Sequence, residues 1–440
     1  MRKDEKTQAF HRDGLIDAVV FVLLLTAVSA VTLQLFHTQA LASLSGGDQS
    51  ESDMKAYILE MQGLDSGYSF PYPVFFKIAA FLNLFATPVF AVALATMLLN
   101  SLAVVFVKLA LNGLVLPECE NCEGVLKKRW LTGILLSLVS VSLFFISMLY
   151  PPEGIYLPGI RFRYAGVFTA NPFHNATYMA ARPFAILAFL WYAKLLPVYE
   201  KGIRTRQNRD GATPLDYVLF SVFLLVATMT KPSFTIVLVG AAGLIMLYRL
   251  CRSGFRHFIP TLQLGLCFLP TFLDLLYQYS GVFVPEEGAE RGIGFTLGEI
   301  WGYYCDNIPL SIGLAMGFPL LVLVLNFKEL KRNELYRFSW QIYLLSLAMA
   351  FFLYEKGFRK VDFNFSWGYM YGIFFGHFGA LTVLLMAQMR EAQPDNAGKR
   401  QGKQKVFYRL CLGAQWLAYL WHVACGLYYF MILQVGGTYY

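Results

Sequence analysis

Apolar runs of about 20 residues recur along the whole chain, and this repetition restricts the fold more than any other feature. A helix of that length rises ~30 Å, enough to cross the hydrocarbon core of a bilayer. The runs are continuous rather than alternating, which argues against a β-barrel. Of the 440 residues, 57% are hydrophobic and only 15% are charged, whereas soluble domains are nearer about 25% charged. The sequence therefore predicts an all-α, polytopic membrane helical bundle. It is read as a single multi-span domain over residues 1–440, with no separate soluble domain.

Eleven spans are expected, at roughly 14–36, 84–111, 131–150, 179–198, 214–230, 232–250, 258–278, 307–327, 339–355, 370–389 and 407–434. The fifth and sixth are separated only by Lys231-Pro232. That pair should break a helix, because proline lacks the N–H for the helical bond. The first run follows "MRKDEKTQAFHRDG" and lacks a small-residue cleavage site, so it reads as a retained helix rather than a signal peptide. Placing the N-terminus inside puts 26 of the 36 Lys and Arg residues on the inner side. That bias is the positive-inside pattern of a cytoplasmic membrane protein.

The net charge of +8 has the same explanation. No basic block carries interleaved aromatics, so nucleic acid is not an expected partner. Cys119, Cys122, Cys251, Cys267, Cys305, Cys411 and Cys425 are scattered and imply no disulfide framework. "CENC" is a single CxxC with no second pair, and it reads as an exposed loop with reduced thiols.

With this topology, the unusual polar motifs all fall on the outer side. The largest outer loop spans 37–83 and contains "SESDMKAYILEMQ", read as a short interfacial helix capped by Ser50. Asp53, Tyr57 and Glu60 then share one face. Asp53 is either a general base facing a cleft or a capping carboxylate. "GYSFPYPVFFKIAA" follows, and is read as a stretch along the interface or an aromatic belt. In "NPFHNATYMAARPF", Pro172 can start a helix. His174, Tyr178 and Arg182 then line one face, where His and Arg could grip a phosphate or sugar hydroxyl. The alternative is a capped helix with its own hydrogen-bonded network. Asn175 and Asn364 lie in sequons, but so close to the membrane that glycosylation explains neither.

Three further features complete the outer set. "RFRY" adds Arg161 and Arg163. Lys231 is either an anchor at a helix end or a cation reaching into a central cavity. "YEKGFRKVDFNFSWGYMYG" places Glu355, Arg359 and Asp362 at i, i+4 and i+7, followed by Asn364 and Trp367. A local ion pair accounts for the first three, whereas Trp beside amide and carboxylate groups suits a sugar platform.

One helix, a large outer loop with an acidic residue, an interfacial segment and then many helices resembles the GT-C glycosyltransferases. The resemblance covers most of the chain by architecture and about four short motifs by residue. It implies transfer of a sugar from a polyprenyl-phosphate-linked donor to a glycan or lipid acceptor on the extracytoplasmic face. Asp53 in "SESDMKAY" matches that family's acidic residue by position, and "FPYP" is similar to its aromatic-proline stretch. The chain departs from the family in having spaced Asp48, Glu51 and Asp53 rather than an adjacent acidic pair. By the resemblance Asp53 is the catalytic base. Arg163, Arg182, Lys231 and Arg359 are candidates to stabilise the departing phosphate. His174 and Asn175 would orient sugar or carrier, with Glu60, Glu355, Asp362, Asn364 and Trp367 as further substrate-binding candidates. A divalent metal, Mg or Mn, could assist, but no ligand cluster identifies one. The expected partners are the lipid-linked donor, the acceptor and membrane lipid.

Two other activities fit the same setting. A polysaccharide polymerase or ligase would use the same carrier but favours a large loop nearer the C-terminal half. A lipid-linked glycan flippase or transporter predicts polar residues at mid-span and broken helices. Asp274, Pro270 and His422 fit that slightly.

Overall fold

The structure is a computed structural model that describes residues 2–46, 52–119, 121–122, 124–149, 162–206, 208–282, 292–393 and 402–438. It is an all-α bundle. Six of its helices are long and apolar enough to cross a membrane, or seven if one bent pair is counted as a span. The chain is thus a multi-pass membrane protein by helix length and composition.

α1 (Arg2–Ser45) runs along the outside of the bundle. It extends nine residues past the end expected from hydropathy, since a helix need not stop where its apolar run stops. Two short helices follow, α2 (Met54–Met61) and α3 (Pro73–Asn83). α3 begins at Pro73, whose missing N–H costs nothing in the first turn. α4 (Pro88–Cys119) pairs with α1 and α3. α5 (Arg129–Ser142) ends in a 3₁₀ turn at Leu143–Phe145, and the chain has no regular structure over 146–148. The expected span 131–150 is therefore helical over only part of its length.

α6 (Ala176–Leu195), α7 (Pro214–Thr230) and α8 (Ser233–Arg252) follow. The helix break falls at Lys231-Pro232, as the proline requires. The run at 258–278 is broken into α9 (Phe258–Leu266) and α10 (Leu269–Val282), bent by 48°. After α11 (Glu299–Tyr304) come α12 (Ile308–Leu325), α13 (Glu329–Arg332) and α14 (Glu334–Phe352). α15 (Ser366–Glu391) and α16 (Gly402–Gln434) complete the bundle. A two-stranded antiparallel ribbon joins β1 (Ile293–Phe295) to β2 (Leu353–Glu355), a feature the hydropathy pattern does not carry.

α15 is the central helix, and almost all of its apolar stretch is buried. Its glycines make this possible. A Cβ at Gly372 or Gly379 would collide with Ser346 or Ser339 of α14, and one at Gly376 would press on Met316 of α12. In a lipid setting helices associate largely through such close packing. α12 is non-helical at Met316, and His422 of α16 repairs the break. Its Nε2 accepts from the Phe318 N–H at 3.1 Å, and its Nδ1 faces the Ser147 carbonyl at 2.6 Å. Both ring nitrogens are thus committed to backbone. Asp274 accepts from Gln278 one turn along its own helix, at 2.8 Å.

The "CENC" cysteines are not on an exposed loop. Cys119 and Cys122 are both buried and free, with the Cys122 thiol 3.4 Å from the Met389 carbonyl. The end of α4 packs against the end of α15, and small apolar thiols suit that contact.

Candidate functional site

The site forms where several helix ends meet: the starts of α2, α3, α6 and α15 and the junction of α7 with α8. Its organiser is Asn175. Asn171-Pro172-Phe173-His174 form a turn, with Asn175 N donating to Pro172 O at 3.0 Å. α6 then starts at Ala176, not at Pro172, with Asn175 as its N-cap. Asparagine is favoured there because its side-chain oxygen answers a free helical N–H. Asn175 Oδ1 accepts from Tyr178 N at 2.9 Å.

The same amide makes four further bonds. Its Nδ2 donates to Asp53 Oδ2 at 2.8 Å and to the Tyr57 hydroxyl oxygen at 2.9 Å. Its Oδ1 accepts from Thr177 at 3.0 Å and from Lys231 Nζ at 3.2 Å. Lys231 also donates to Thr177 Oγ1 at 3.0 Å. Tyr57 donates to Asp53 Oδ2 at 3.0 Å and lies 3.1 Å from Thr177 Oγ1. A continuous hydrogen-bonded path thus runs from Lys231 through Thr177 and Tyr57 to Asp53. Asp53 and Lys231 carry opposite charges into one site, and Asn175 stands between them.

Asp53 occupies the N-cap position of α2, yet its side chain makes no capping bond. The Met54 N–H is met instead by Ser52 Oγ at 3.3 Å. The expected cap Ser50 lies outside the described residues. Oδ2 of Asp53 is held twice, and Oδ1 receives no hydrogen bond from a described residue. Protein surrounds the carboxylate, but the residue remains exposed, so it sits in an open recess. Burial pushes its carboxyl above the usual range, against the opposing pull of Lys231, Tyr57, Arg359 and Asn175.

Lys231 is buried, so it reaches into the protein rather than anchoring at the surface. Its ammonium lies 4.6 Å from the Trp367 ring centroid and 6.0 Å from that of Tyr72. Burial brings it down to about 8, with Asp53 opposing the fall and Arg359 adding to it. Burial and then Lys231 bring His174 down to about 3, so the imidazole is neutral and does not grip a phosphate as a cation. His174 Nδ1 lies 3.2 Å from the Tyr429 hydroxyl, and its ring packs on Tyr164 and Trp367. The Trp367 ring, read as a sugar platform, is already flanked by Lys231 and His174.

A second group lies beside the first. Arg359 is 3.1 Å from Asp362 and 3.6 Å from Glu355, and Asn364 donates to Glu355 at 2.9 Å. The pairs form, but on β2 and a 3₁₀ turn rather than along an α-helix. Arg359 is close enough to Asp53 and Lys231 for its charge to act on both.

Three expected residues lie elsewhere. Arg182 is buried in the core, bonded to Asn171 and, at 2.6 Å, to Asn100, with the Phe144 ring centroid 4.6 Å away. Because His174 precedes α6, the i, i+8 spacing does not bring it and Arg182 to one helical face. Asn171 in turn donates to the Leu143 and Ile146 carbonyls at 3.2 and 2.8 Å, so this pair stitches the open end of α5. Arg163 lies over the Tyr303 ring at 4.0 Å. Glu60 shares a half-buried face of α2 but has no bond to the cluster.

Tyr57, Thr177 and Tyr72 belong to the site without having been assigned roles from sequence. The aromatic-proline stretch is not a loose belt, because Phe70, Phe75 and Phe76 pack around the Tyr57 ring. Burial raises the Tyr57 phenol well above its usual value, which keeps it a hydrogen-bond donor to Asp53. Among the described residues no group of three His, Cys, Asp or Glu could hold a metal ion. One carboxylate with a lysine alongside does not offer the oxygen-rich donor set of Mg or Mn. No protein-family model matches the chain, and neither do any curated proteins or solved structures.

Proposed function

We propose that this protein is a membrane glycosyltransferase that moves a sugar from a polyprenyl-phosphate-linked donor to a glycan or lipid acceptor. One observation carries the reading: Asp53 has one oxygen fixed by two hydrogen bonds and the other without a hydrogen bond from any described residue, beside the buried Lys231. A base held by one oxygen has a defined direction of attack for the other.

In this reading the acceptor hydroxyl donates to Asp53 Oδ1. As its proton passes to the carboxylate, the acceptor oxygen bonds to the anomeric carbon. The bond from that carbon to the phosphate oxygen breaks, and its electron pair leaves with the polyprenyl phosphate. Lys231 and Arg359 supply positive charge near the departing group, Lys231 the more effectively because it is buried away from water. Tyr57 and Asn175 are positioning residues that aim the carboxylate. α5, α6, α7 and α14 also cross in this reading, giving eleven spans with a cytoplasmic N-terminus and an extracytoplasmic recess.

The test is transfer of labelled sugar from a panel of polyprenyl-phosphate donors by the purified protein, wild type against Asp53→Asn. Asparagine keeps an oxygen for Tyr57 but cannot take a proton. Transfer that disappears in the folded variant supports the proposal. Transfer unaffected by the substitution removes Asp53 as the base. No transfer from any donor, with labelled lipid-linked glycan instead crossing protein-containing liposomes, replaces the enzyme by a flippase.

A further inference from the structure

At the other end of the bundle, α8 and α14 enclose a cleft of about 950 Å³. Gly240 of α8 lets Leu345 of α14 approach closely, and the cleft lies mainly between that contact and the basic helix ends. Its walls include Leu244, Ile245, Leu344 and Ala348, and Leu244 and Leu344 are exposed. α8 is among the helices long and apolar enough to cross a membrane, which makes lipid chains the natural cover for its exposed Leu244.

The mouth is cationic. Arg249, Arg252 and Arg337 line it, together with His257 and Glu200. Arg249 is answered by Glu334 at 2.8 Å and Glu200 at 3.9 Å, and Arg337 is paired with Glu334. Arg252 has no carboxylate partner among the described residues. Gln341, also in the lining, has a buried Oε1 without a hydrogen-bond partner. The volume is at the upper end of ordinary ligand clefts. An apolar slot open to lipid and, at its mouth, an arginine without a carboxylate partner among the described residues together define an amphiphile with an anionic head.

We infer that this cleft binds an anionic phospholipid. An acyl chain lies along Leu244, Ile245 and Leu344, and the phosphate meets Arg252. The site is separate from the Asp53 recess and does not depend on the activity proposed there.

The test is native mass spectrometry of the full-length detergent-solubilised protein. It is offered phosphatidylglycerol, phosphatidylcholine of the same chains, or inorganic phosphate. Phosphatidylglycerol is expected to be retained over phosphatidylcholine, and Arg252→Gln to weaken it about fivefold, the worth of one basic side chain near an anionic headgroup. Leu244→Trp, which fills the slot from an exposed position, is expected to displace the lipid. Unchanged melting temperatures show that both variants fold. Equal retention of the two lipids overturns the inference. So does phosphatidylglycerol binding that ignores either substitution, or phosphate binding as well as the lipid.

Discussion

Two buried lysines in this molecule meet carboxylates in opposite ways. Lys108 touches Asp17 directly at 2.8 Å, and the pair is closed by the Gly133 carbonyl at 2.8 Å and the Ser137 hydroxyl at 3.0 Å. Lys231 reaches Asp53 only through Asn175 and the Thr177–Tyr57 path. A direct buried pair neutralises its own charges and leaves little to offer a third molecule. The divided pair keeps both charges available, at the cost of burying them without full compensation. The first arrangement joins α1, α4 and α5. The second is the arrangement the proposed transfer requires, with charges that act on a substrate rather than on each other.

The largest effect should come from Asp53→Asn. Loss of a general base is expected to lower kcat by about 10²–10⁴-fold, measured on labelled sugar transfer. Stability should move the other way. Because folding raises the Asp53 carboxyl, the folded state loses stability as pH rises through that raised value. The neutral variant should therefore melt higher than wild type at pH 7, and the gap should close as the pH falls through the raised value. A variant that melts lower at pH 7 would show that the carboxylate is structural after all.

Next in size is Lys108→Met. Removing one partner of a direct buried pair strands the other, a loss of about 3–5 kcal/mol. Thermal melting in detergent should show it, with little change in kcat for whatever protein remains folded. If Lys108→Met and Lys231→Met destabilise equally, the contrast between the two sites fails.

Lys231→Met should leave more of the fold and change the pH profile instead. In the proposed mechanism activity needs Asp53 ionised and Lys231 charged. The wild-type rate should rise through a value above the usual carboxylate range and fall near about 8. The variant should lose the alkaline fall. Lys231 also leaves a thermal signature: its penalty is complete below about 8, and stability recovers as pH rises from there toward the ordinary lysine range. An alkaline limb that survives in Lys231→Met assigns it to another group.

The smallest effect belongs to the partly exposed pairs at the basic end. Glu334→Gln breaks contacts to Arg249 and Arg337 and should cost about 1 kcal/mol, diminishing with added salt. A larger loss that salt does not touch would mean these pairs behave like Lys108 with Asp17.

How much of this was legible in the sequence differs from residue to residue. Lys231-Pro232 announced a break, and α7 and α8 end and begin around it. Asp53, Asn175 and Lys231 were each singled out for a charge or amide at a helix end, and the fold brings them together. Arg182 was misplaced because the face was counted from His174, whereas Asn175 caps the helix and leaves His174 outside it. Tyr57 shares a face with Asp53 in the sequence, but its meeting with Thr177, about 120 residues away, shows only in the fold. The β1–β2 ribbon is similarly non-local, and each strand has only three residues, too few for a period to show. Cys119 and Cys122 looked like loop residues because nothing local indicates that α15 will cover them.

The Asn175 amide has a consequence for biosynthesis. It joins Asp53, made 122 residues earlier, to Lys231, made 56 residues later. At ribosomal speeds of about 5–20 residues per second, the carboxylate waits roughly 6–24 s before its first long-range partner is even synthesised. Through that interval α2 has no recess to line, and the nascent chain must hold a lone acid at the membrane edge. The recess therefore cannot assemble before residue 231, about halfway along the 440-residue chain, and a ribosome stalled short of that point leaves a chain whose acid has no counter-charge to meet.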